Sequence, residues 1–255
     1  VIDNSLIAHY KFDGNLYDCS GNGNHITTTL GTIDYNSYIK KKGKSSLIQN
    51  NEYISITSLS ALSAVWSGSF SISFWVYPIS SIGSYLMGGF DNSSSGGIRG
   101  GWYLRITSGK LYWVALHGTG FGSPIQSDVT LSINNWYHIV ISNTGTTYNM
   151  SINGVHKTGT EPILNTPHNS ITNRHFSIGR AARWGDSSSY DYDDFEGYFD
   201  DFRIYNRVLS PAEITSLYTV YNTIAPQTLA DTGYKYLTFP YVQHVVAVER
   251  MYPPT

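Results

Sequence analysis

The sequence predicts an all-β protein, a two-sheet antiparallel β-sandwich with one short C-terminal helix. Aromatic residues make up 15% of the 255 residues and charged residues only 13%. Gly, Ser, Thr and Asn accompany the aromatic residues in place of Lys and Glu, a mixture that suits pleated strands joined by tight turns. A chain of this length with 41% hydrophobic residues can bury one full core. We therefore predict one main domain, residues 1–218, followed by an extension, residues 219–255.

Runs of β-branched and aromatic residues, bounded by Gly, Asn, Ser or Pro, predict the strands. They lie at residues 5–12, 69–78, 101–107, 110–116, 136–143, 148–153, 175–180 and 198–205. In FSISFWVYP, residues 70–78, apolar residues alternate with a mixed set, so we expect only one face of this strand in the core. Ser108-Gly109 and Asn153-Gly154 predict two-residue hairpin turns.

The stretch LSPAEITSLY, residues 209–218, predicts the helix. Ser210 is placed to cap its N-terminus, and Glu213 completes a capping box. Beyond it, residues 219–255 show no repeat, but the apolar segment YVQHVVAV, residues 241–248, is too hydrophobic for a free tail. We expect the extension to lie on the domain or on a partner chain.

Charge and composition exclude several classes of protein. With a net charge of −2 there is no basic surface to bind phosphates, so nucleic acid is not an expected partner. No run approaches the roughly 18 apolar residues of a membrane span. Cys19 is the only cysteine, which rules out an internal disulfide and a cysteine-based zinc site.

Two segments at opposite ends of the chain carry a family resemblance. LIAHYKFDGNLYDCSGNGNH, residues 6–25, and GYFDDFRIYNRVLSPAEITSLY, residues 197–218, resemble the opening and closing segments of the concanavalin A-like, laminin-G-type β-sandwich domains. The predicted strands between them fit the same family in order. The resemblance implies a jelly-roll sandwich, from which the insert between Arg180 and Gly197 and the extension depart.

The opening segment places many side-chain oxygens on a glycine-rich backbone, which is the set of ligands that Ca²⁺ prefers. In the domains that the chain resembles, the opening aspartate lies near the later pair of aspartates, and a structural calcium is often bound there. The resemblance implies calcium ligands drawn from Asp13, Asn15, Asp18, Asp200 and Asp201. The alternative is that these side chains only form Asx turns and bond backbone amides.

The insert RAARWGDSSSYDYDDFE, residues 180–196, combines flat aromatic rings with carboxylates. Sugars stack their apolar C–H faces on aromatic rings and need polar partners for their hydroxyls. The candidate carbohydrate-binding residues are Trp184, Asp186, Tyr190, Asp191, Tyr192 and Asp193. The alternative is a solvated acidic loop whose aromatic residues pack back on the sheet.

The sequence does not favour an enzyme. Glucan-hydrolysing sandwiches carry closely spaced acids in a Glu-x-Asp-x-x-Glu pattern, which is absent, and no Gly-x-Ser-x-Gly is present. The leading hypothesis is a non-catalytic, lectin-like module that binds a glycan or glycoprotein in an extracellular, cell-surface or virion-associated setting. The alternative is a structural module of a larger assembly, such as a virion, phage tail or cell-surface protein, that contacts other protein chains through residues 219–255.

Overall fold

The structure is a computed structural model, and its described residues form two antiparallel β-sheets and one short helix. It describes residues 3–30, 32–49, 53–56, 68–80, 83–91, 99–118, 120–121, 124–144, 147–159, 176–184, 194–220, 236–239 and 242–247.

The first sheet has eight strands. They are β1 (Leu6–Tyr10), β3 (Tyr35–Asn36), β4 (Ser46–Gln49), β6 (Phe70–Pro78), β12 (Tyr137–Asn143), β13 (Tyr148–Ile152), β14 (Val155–Gly159) and β17 (Gly197–Tyr205). Their order is β14-β13-β12-β6-β17-β4-β3, and β1 also pairs with β17.

The second sheet has nine strands. They are β2 (Thr28–Leu30), β5 (Tyr53–Ile56), β7 (Ser84–Asp91), β8 (Arg99–Thr107), β9 (Lys110–Gly118), β10 (Gly120–Phe121), β11 (Ile125–Thr130), β15 (Phe176–Ile178) and β16 (Ala182–Trp184). Their order is β10-β9-β8-β7-β15-β5-β2, while β11 pairs with β9 and β16 runs parallel to β7.

Aromatic side chains join the two sheets into one core. Phe70 of the first sheet stacks on Trp102 of the second, with ring centroids 5.8 Å apart. Phe202 meets Phe176 across the same gap at 6.4 Å. All four side chains are at most 1% exposed, so the space between the sheets is filled. The predicted sandwich is confirmed.

The first and last strands of the main domain pair with each other, as the resemblance implies. In β1 and β17, His9 lies opposite Arg203 and Tyr10 opposite Phe202. β1 is shorter than predicted because Phe12 adopts φ 54°, a left-handed conformation that ends the extended strand. This pairing brings the opening loop beside residues 200 and 201.

The expectation for the strand at residues 70–78 is wrong in one respect, because both of its faces are buried. The face that was expected outside is covered by the helix α1 (Pro211–Val220) and its entry. Ser71 accepts a hydrogen bond from the backbone of Leu209, and Trp75 stacks on Tyr218 at 5.9 Å. A strand that is central in its sheet and lies under a helix has no solvent face, which alternation alone does not reveal.

Local predictions for the turns and the helix are confirmed. Asn153 and Gly154 connect β13 to β14 with φ values of 51° and 81°, the positive pair of a type I′ turn. Ser210 Oγ accepts a hydrogen bond from the Glu213 amide, and the Glu213 carboxylate accepts one from the Ser210 amide. This is the reciprocal capping box.

In the extension, β18 (Tyr236–Phe239) and β19 (Val242–Ala247) form a separate two-stranded antiparallel sheet. Its strands belong to neither sheet of the sandwich. Within the described ranges, no helix has the length and apolar character needed to cross a membrane.

Candidate functional site

The opening loop is tied together by one carboxylate. Asp18 Oδ1 accepts hydrogen bonds from the amides of His9 (2.9 Å) and Ser20 (2.8 Å). Its Oδ2 accepts from the Asn24 amide (2.9 Å) and from the Ser20 hydroxyl (2.8 Å). Burial alone raises the pKa of Asp18, but these bonds stabilise the charged form and hold the pKa below its usual value. Both oxygens are therefore occupied by donors of the loop itself.

Two further aspartates accept hydrogen bonds from the loop at residues 41–45. Asp200 Oδ2 accepts hydrogen bonds from the amides of Lys41 (2.7 Å) and Lys42 (2.8 Å). Asp13 Oδ1 accepts from the amides of Lys44 and Ser45. Strands β1 and β17 thus bring two carboxylates 187 positions apart in the chain to one short loop.

Asp200 is the most unusual carboxyl group of this corner. It is 1% exposed, and its Oδ1 is buried without a hydrogen-bond partner among the described residues. Burial raises the pKa of Asp200 to about 8, against the two amide bonds that lower it, and the charges of Asp201 and Asp13 raise it further. A bound cation is one way to stabilise such a carboxylate in its charged form.

Asp201 is engaged elsewhere. It adopts φ 50° at an irregularity in the pairing of β17 with β6, and its carboxylate meets His9 Nε2 at 2.6 Å and Arg203 at 3.0 Å. Burial raises the pKa of Asp201, but the bond to His9 and the charge of Arg203 outweigh it and bring the pKa to about 2. The Asp201 carboxylate is therefore engaged by His9 and Arg203.

Of the predicted calcium ligands, Asp13 and Asp200 share the corner and the others have different partners. Asn15 accepts a hydrogen bond from the Tyr17 amide in an Asx turn. In the part of the chain that the structure describes, no group of three or more His, Cys, Asp or Glu side chains is arranged to hold a metal. Calcium also takes backbone carbonyls and water as ligands, so Asp13 and Asp200 fit the carboxylate share of such a site.

The predicted carbohydrate loop is described only at its ends. Trp184 ends β16, where its backbone lies opposite Asp91 of β7. The remaining predicted residues, Asp186, Tyr190, Asp191, Tyr192 and Asp193, lie outside the described residues. The described residues resume at Asp194, whose backbone forms an isolated β-bridge with Tyr85 of β7. Its carboxylate accepts two hydrogen bonds from the guanidinium of Arg180. Both ends of this loop are therefore fastened along β7.

The outward face of the second sheet carries a row of side chains that the sequence reasoning missed. Tyr85 of β7 lies opposite Arg105 of β8, Arg105 lies opposite Tyr112 of β9, and Tyr112 lies opposite Gln126 of β11. Gln126 is exposed, and the other three are partly exposed. We call these four residues the outer row. It is an amphipathic surface of two phenol rings, a guanidinium and an amide.

A small apolar cluster supports the outer row from beside it. Tyr103 is 6% exposed and packs with Val114 and Ala181. Its ring meets the ring of Tyr85 edge to face, with centroids 5.1 Å apart. The Arg105 guanidinium lies over the ring of Tyr112 at 5.6 Å. Rings and guanidinium are thus held by the sheet rather than by a long loop.

A signal for the outer row is present in the sequence. In GWYLRIT, residues 101–107, Tyr103 and Arg105 alternate with three core residues, and in KLYWVAL, residues 110–116, Tyr112 alternates in the same way. An arginine between tyrosines on the face opposite the core marks a polar, aromatic surface.

One buried serine and histidine pair has the chemistry of a nucleophile and base but no access to substrate. Ser73 Oγ and His138 Nε2 are 2.9 Å apart, and both residues are 2% exposed. The rings of Trp75 and Tyr218 pack against the His138 ring. Burial lowers the pKa of His138 to about 3, so the ring is neutral. The pair serves packing between the first sheet and α1.

Residues 49–215 match a laminin G family model of the concanavalin A-like lectin/glucanases superfamily. The chain belongs to this superfamily. It is also 26% identical over 236 residues to botulinum neurotoxin type G of Clostridium botulinum, which covers 86% of the chain but only 17% of the toxin.

Solved structures give the same fold. Domain 4 of AbnA, a GH43 extracellular arabinanase from Geobacillus stearothermophilus in complex with arabinotriose, matches with TM-score 0.58 and 23% identity, over 84% of this chain and 98% of that one. The binding domain of botulinum neurotoxin DC in complex with rat synaptotagmin II matches with TM-score 0.61 and 17% identity, over 87% and 52%. At identities of 23% and 17%, this structural similarity establishes the fold alone.

Proposed function

We propose that this chain is a non-catalytic carbohydrate-binding module that acts outside the cell, and that the outer row binds the sugar. The observation that carries the proposal is the row itself, in which Tyr85 and Tyr112 flank Arg105 on a partly exposed sheet face. Tyrosine rings offer flat surfaces to sugar C–H groups, while guanidinium and amide groups bond hydroxyls.

The comparisons support a binding role. The arabinanase domain is described in complex with arabinotriose and belongs to an extracellular enzyme. A matching structure of botulinum neurotoxin type C is described by an interaction with two ganglioside molecules. Domains of this fold thus occur in proteins that bind sugars.

Glycan-array binding of the labelled chain, followed by calorimetric titration, tests the proposal. We expect the wild type to retain at least one glycan and Tyr112→Ala to weaken its binding about tenfold, because one stacking surface is lost. Trp184→Ala tests the contribution of the predicted loop in the same assay.

Tyr38→Ala is the matched control, because Tyr38 is 80% exposed and lies outside both outer-row and loop segments. It should bind as the wild type does. Retention of no glycan by the wild type, or equal binding by Tyr112→Ala and wild type, contradicts the proposal.

We further propose a structural calcium held by Asp13 and Asp200. The buried Oδ1 of Asp200, with no hydrogen-bond partner among the described residues, and the nearby charge of Asp13 support it. A ligand that binds only the folded protein raises its melting temperature, so Ca²⁺ should raise the midpoint by several degrees over EDTA. An unchanged midpoint removes calcium from the account.

Asp200→Asn sharpens that test. The amide oxygen of Asn can keep both bonds from the loop at residues 41–45, while its NH₂ group takes the place of Oδ1 and the charge that repels Asp13 is removed. We expect this variant to melt in EDTA at or above the wild-type temperature and to lose the response to Ca²⁺. A preserved response assigns the ion to other residues.

A second candidate function, a structural module of a larger assembly, is favoured by the β18–β19 hairpin. A two-stranded sheet is marginal alone and needs a surface to pack on. We propose that this hairpin contacts another protein chain. Sedimentation of the whole chain and of a chain ending at Val220 should then give different oligomeric states, and identical states would refute it.

A further inference from the structure

Arg105 is a cation without a counter-charge among the described residues. Its Nε is buried and has no hydrogen-bond partner there, and none of the described ion pairs includes it. Arg180 differs, because Asp194 satisfies it with one carboxylate oxygen on Nε and the other on a terminal nitrogen. Arg180, in the connection between β15 and β16, is thus paired with a carboxylate, whereas Arg105 on β8 is paired with none among the described residues.

The ring of Tyr112 does not replace a counter-charge. The guanidinium carbon lies 5.6 Å from the ring centroid, a cation–π contact that stabilises the charge only weakly at a partly exposed site. The face of an aromatic ring also does not supply the oxygen acceptors that match the five N–H donors in the guanidinium plane. A partly buried charge is expensive to maintain unless an anion joins it. Because Arg105 is partly exposed, its guanidinium can donate to an acceptor from outside the chain.

The surroundings of Arg105 specify the kind of acceptor. Its cross-strand neighbours Tyr85 and Tyr112 are phenol rings, and the next position of the row is the exposed amide of Gln126. A carboxylate matches the guanidinium fork in two parallel hydrogen bonds, and a pyranose ring attached to that carboxylate would lie over a flanking tyrosine. The side chains of the outer row are otherwise uncharged.

The geometry points to an acidic sugar as the ligand class: we propose that Arg105 binds the carboxylate of an acidic oligosaccharide while Tyr85 and Tyr112 contact its ring. This inference rests on the carbohydrate-binding function proposed above and names its substrate class. The carboxylate of the sugar supplies the counter-charge that Arg105 lacks among the described residues.

Calorimetric titration at low ionic strength with two matched probe pairs tests the inference. The first pair is 3′-sialyllactose and lactose, and the second is trigalacturonic acid and its methyl ester. In each pair only the first member carries a carboxylate, so the wild type alone gives an answer. We expect an acidic probe to bind at least about tenfold more tightly than its neutral partner, the loss typical of a charge-assisted hydrogen bond.

Variants assign that preference to one side chain. Arg105→Gln should reduce binding of the acidic probe to the level of the neutral one, and Arg105→Lys should retain part of the preference because it keeps the charge and loses the fork. Lys11→Gln is the matched control, since it removes one positive charge from an exposed residue that follows β1 of the first sheet and belongs to none of the described ion pairs. It should bind the acidic probe as the wild type does.

The outcomes separate this inference from the proposed function. Equal binding of acidic and neutral probes, or a preference that survives Arg105→Gln, overturns the acidic-sugar inference while carbohydrate binding stands. Absence of binding to every glycan overturns both. If neither Arg105 variant folds, as judged by near-UV circular dichroism, the wild-type preference within the probe pairs still decides whether the ligand is acidic.

Discussion

Replacing Asp18 by Asn tests how the opening loop is held. The change removes one negative charge and exchanges one acceptor oxygen for an NH₂ group, at nearly constant volume. In the wild type each carboxylate oxygen accepts two hydrogen bonds, at distances from 2.8 to 2.9 Å. In Asp18→Asn the NH₂ group takes one of these oxygen positions, so two donors of the loop face another donor and lose their acceptor.

The expected loss follows from those bonds. Hydrogen bonds to a charged group contribute about 1.5–3 kcal/mol each, and two of them lose their acceptor in the variant. Part of the loss is regained where donors at the loop surface reach water. We therefore expect the free energy of unfolding to fall by about 3 kcal/mol.

Guanidinium unfolding followed by tryptophan fluorescence measures this difference. Asp34→Asn is the matched control, because Asp34 is exposed and forms none of the described side-chain hydrogen bonds. It should change the free energy of unfolding by less than about 0.5 kcal/mol. A variant Asp18→Asn as stable as the control refutes the view that this carboxylate organises the loop.

Three further changes probe the framework around the sites. Ser210→Ala removes the helix cap and should cost about 1 kcal/mol in chemical unfolding, and no cost would show the cap to be irrelevant. Gly88→Ala should cost about 2 kcal/mol or more, because the new Cβ would lie 2.4 Å from the Trp102 carbonyl oxygen at φ +134°. For His138, with its pKa lowered to about 3, the unfolded chain binds the extra proton between about pH 6.5 and 3, so stability falls as the pH falls through that window. His138→Gln should remove about 3 kcal/mol of the difference in unfolding free energy between pH 7 and pH 4, and parallel pH profiles would contradict the assignment.

The features that local sequence determines were predictable. The hairpin at Asn153-Gly154 and the capping box of Ser210 and Glu213 depend on neighbouring residues alone, and both form as expected. The pairing of β1 with β17 is not local, and only the resemblance to a known family predicted it.

The sites themselves depend on contacts that no local pattern fixes. The outer row requires the register of four strands, with irregularities between Tyr85 and Met87 and between Gln126 and Thr130. Asp200 finds its amide partners at Lys41 and Lys42, far away in the chain. A one-residue change of register would have turned these side chains to the other face.

Partner choice also explains why similar aspartates have different roles. Asp200 and Asp201 are adjacent in the sequence, yet one has a pKa raised to about 8 and the other a pKa lowered to about 2. The irregularity in β17 turns them toward different neighbours, backbone amides for Asp200 and His9 with Arg203 for Asp201. The family resemblance predicted that Asp13 lies near Asp200 and Asp201, but not that the two adjacent aspartates have different partners.

Amide chemical-shift mapping of the ¹⁵N-labelled chain during titration with its array-selected glycan tests the central claim most directly. The account predicts saturable shifts concentrated in β7, β8, β9 and β11, around Tyr85, Arg105, Tyr112 and Gln126. Saturable shifts confined to the opening loop or to the first sheet would contradict it.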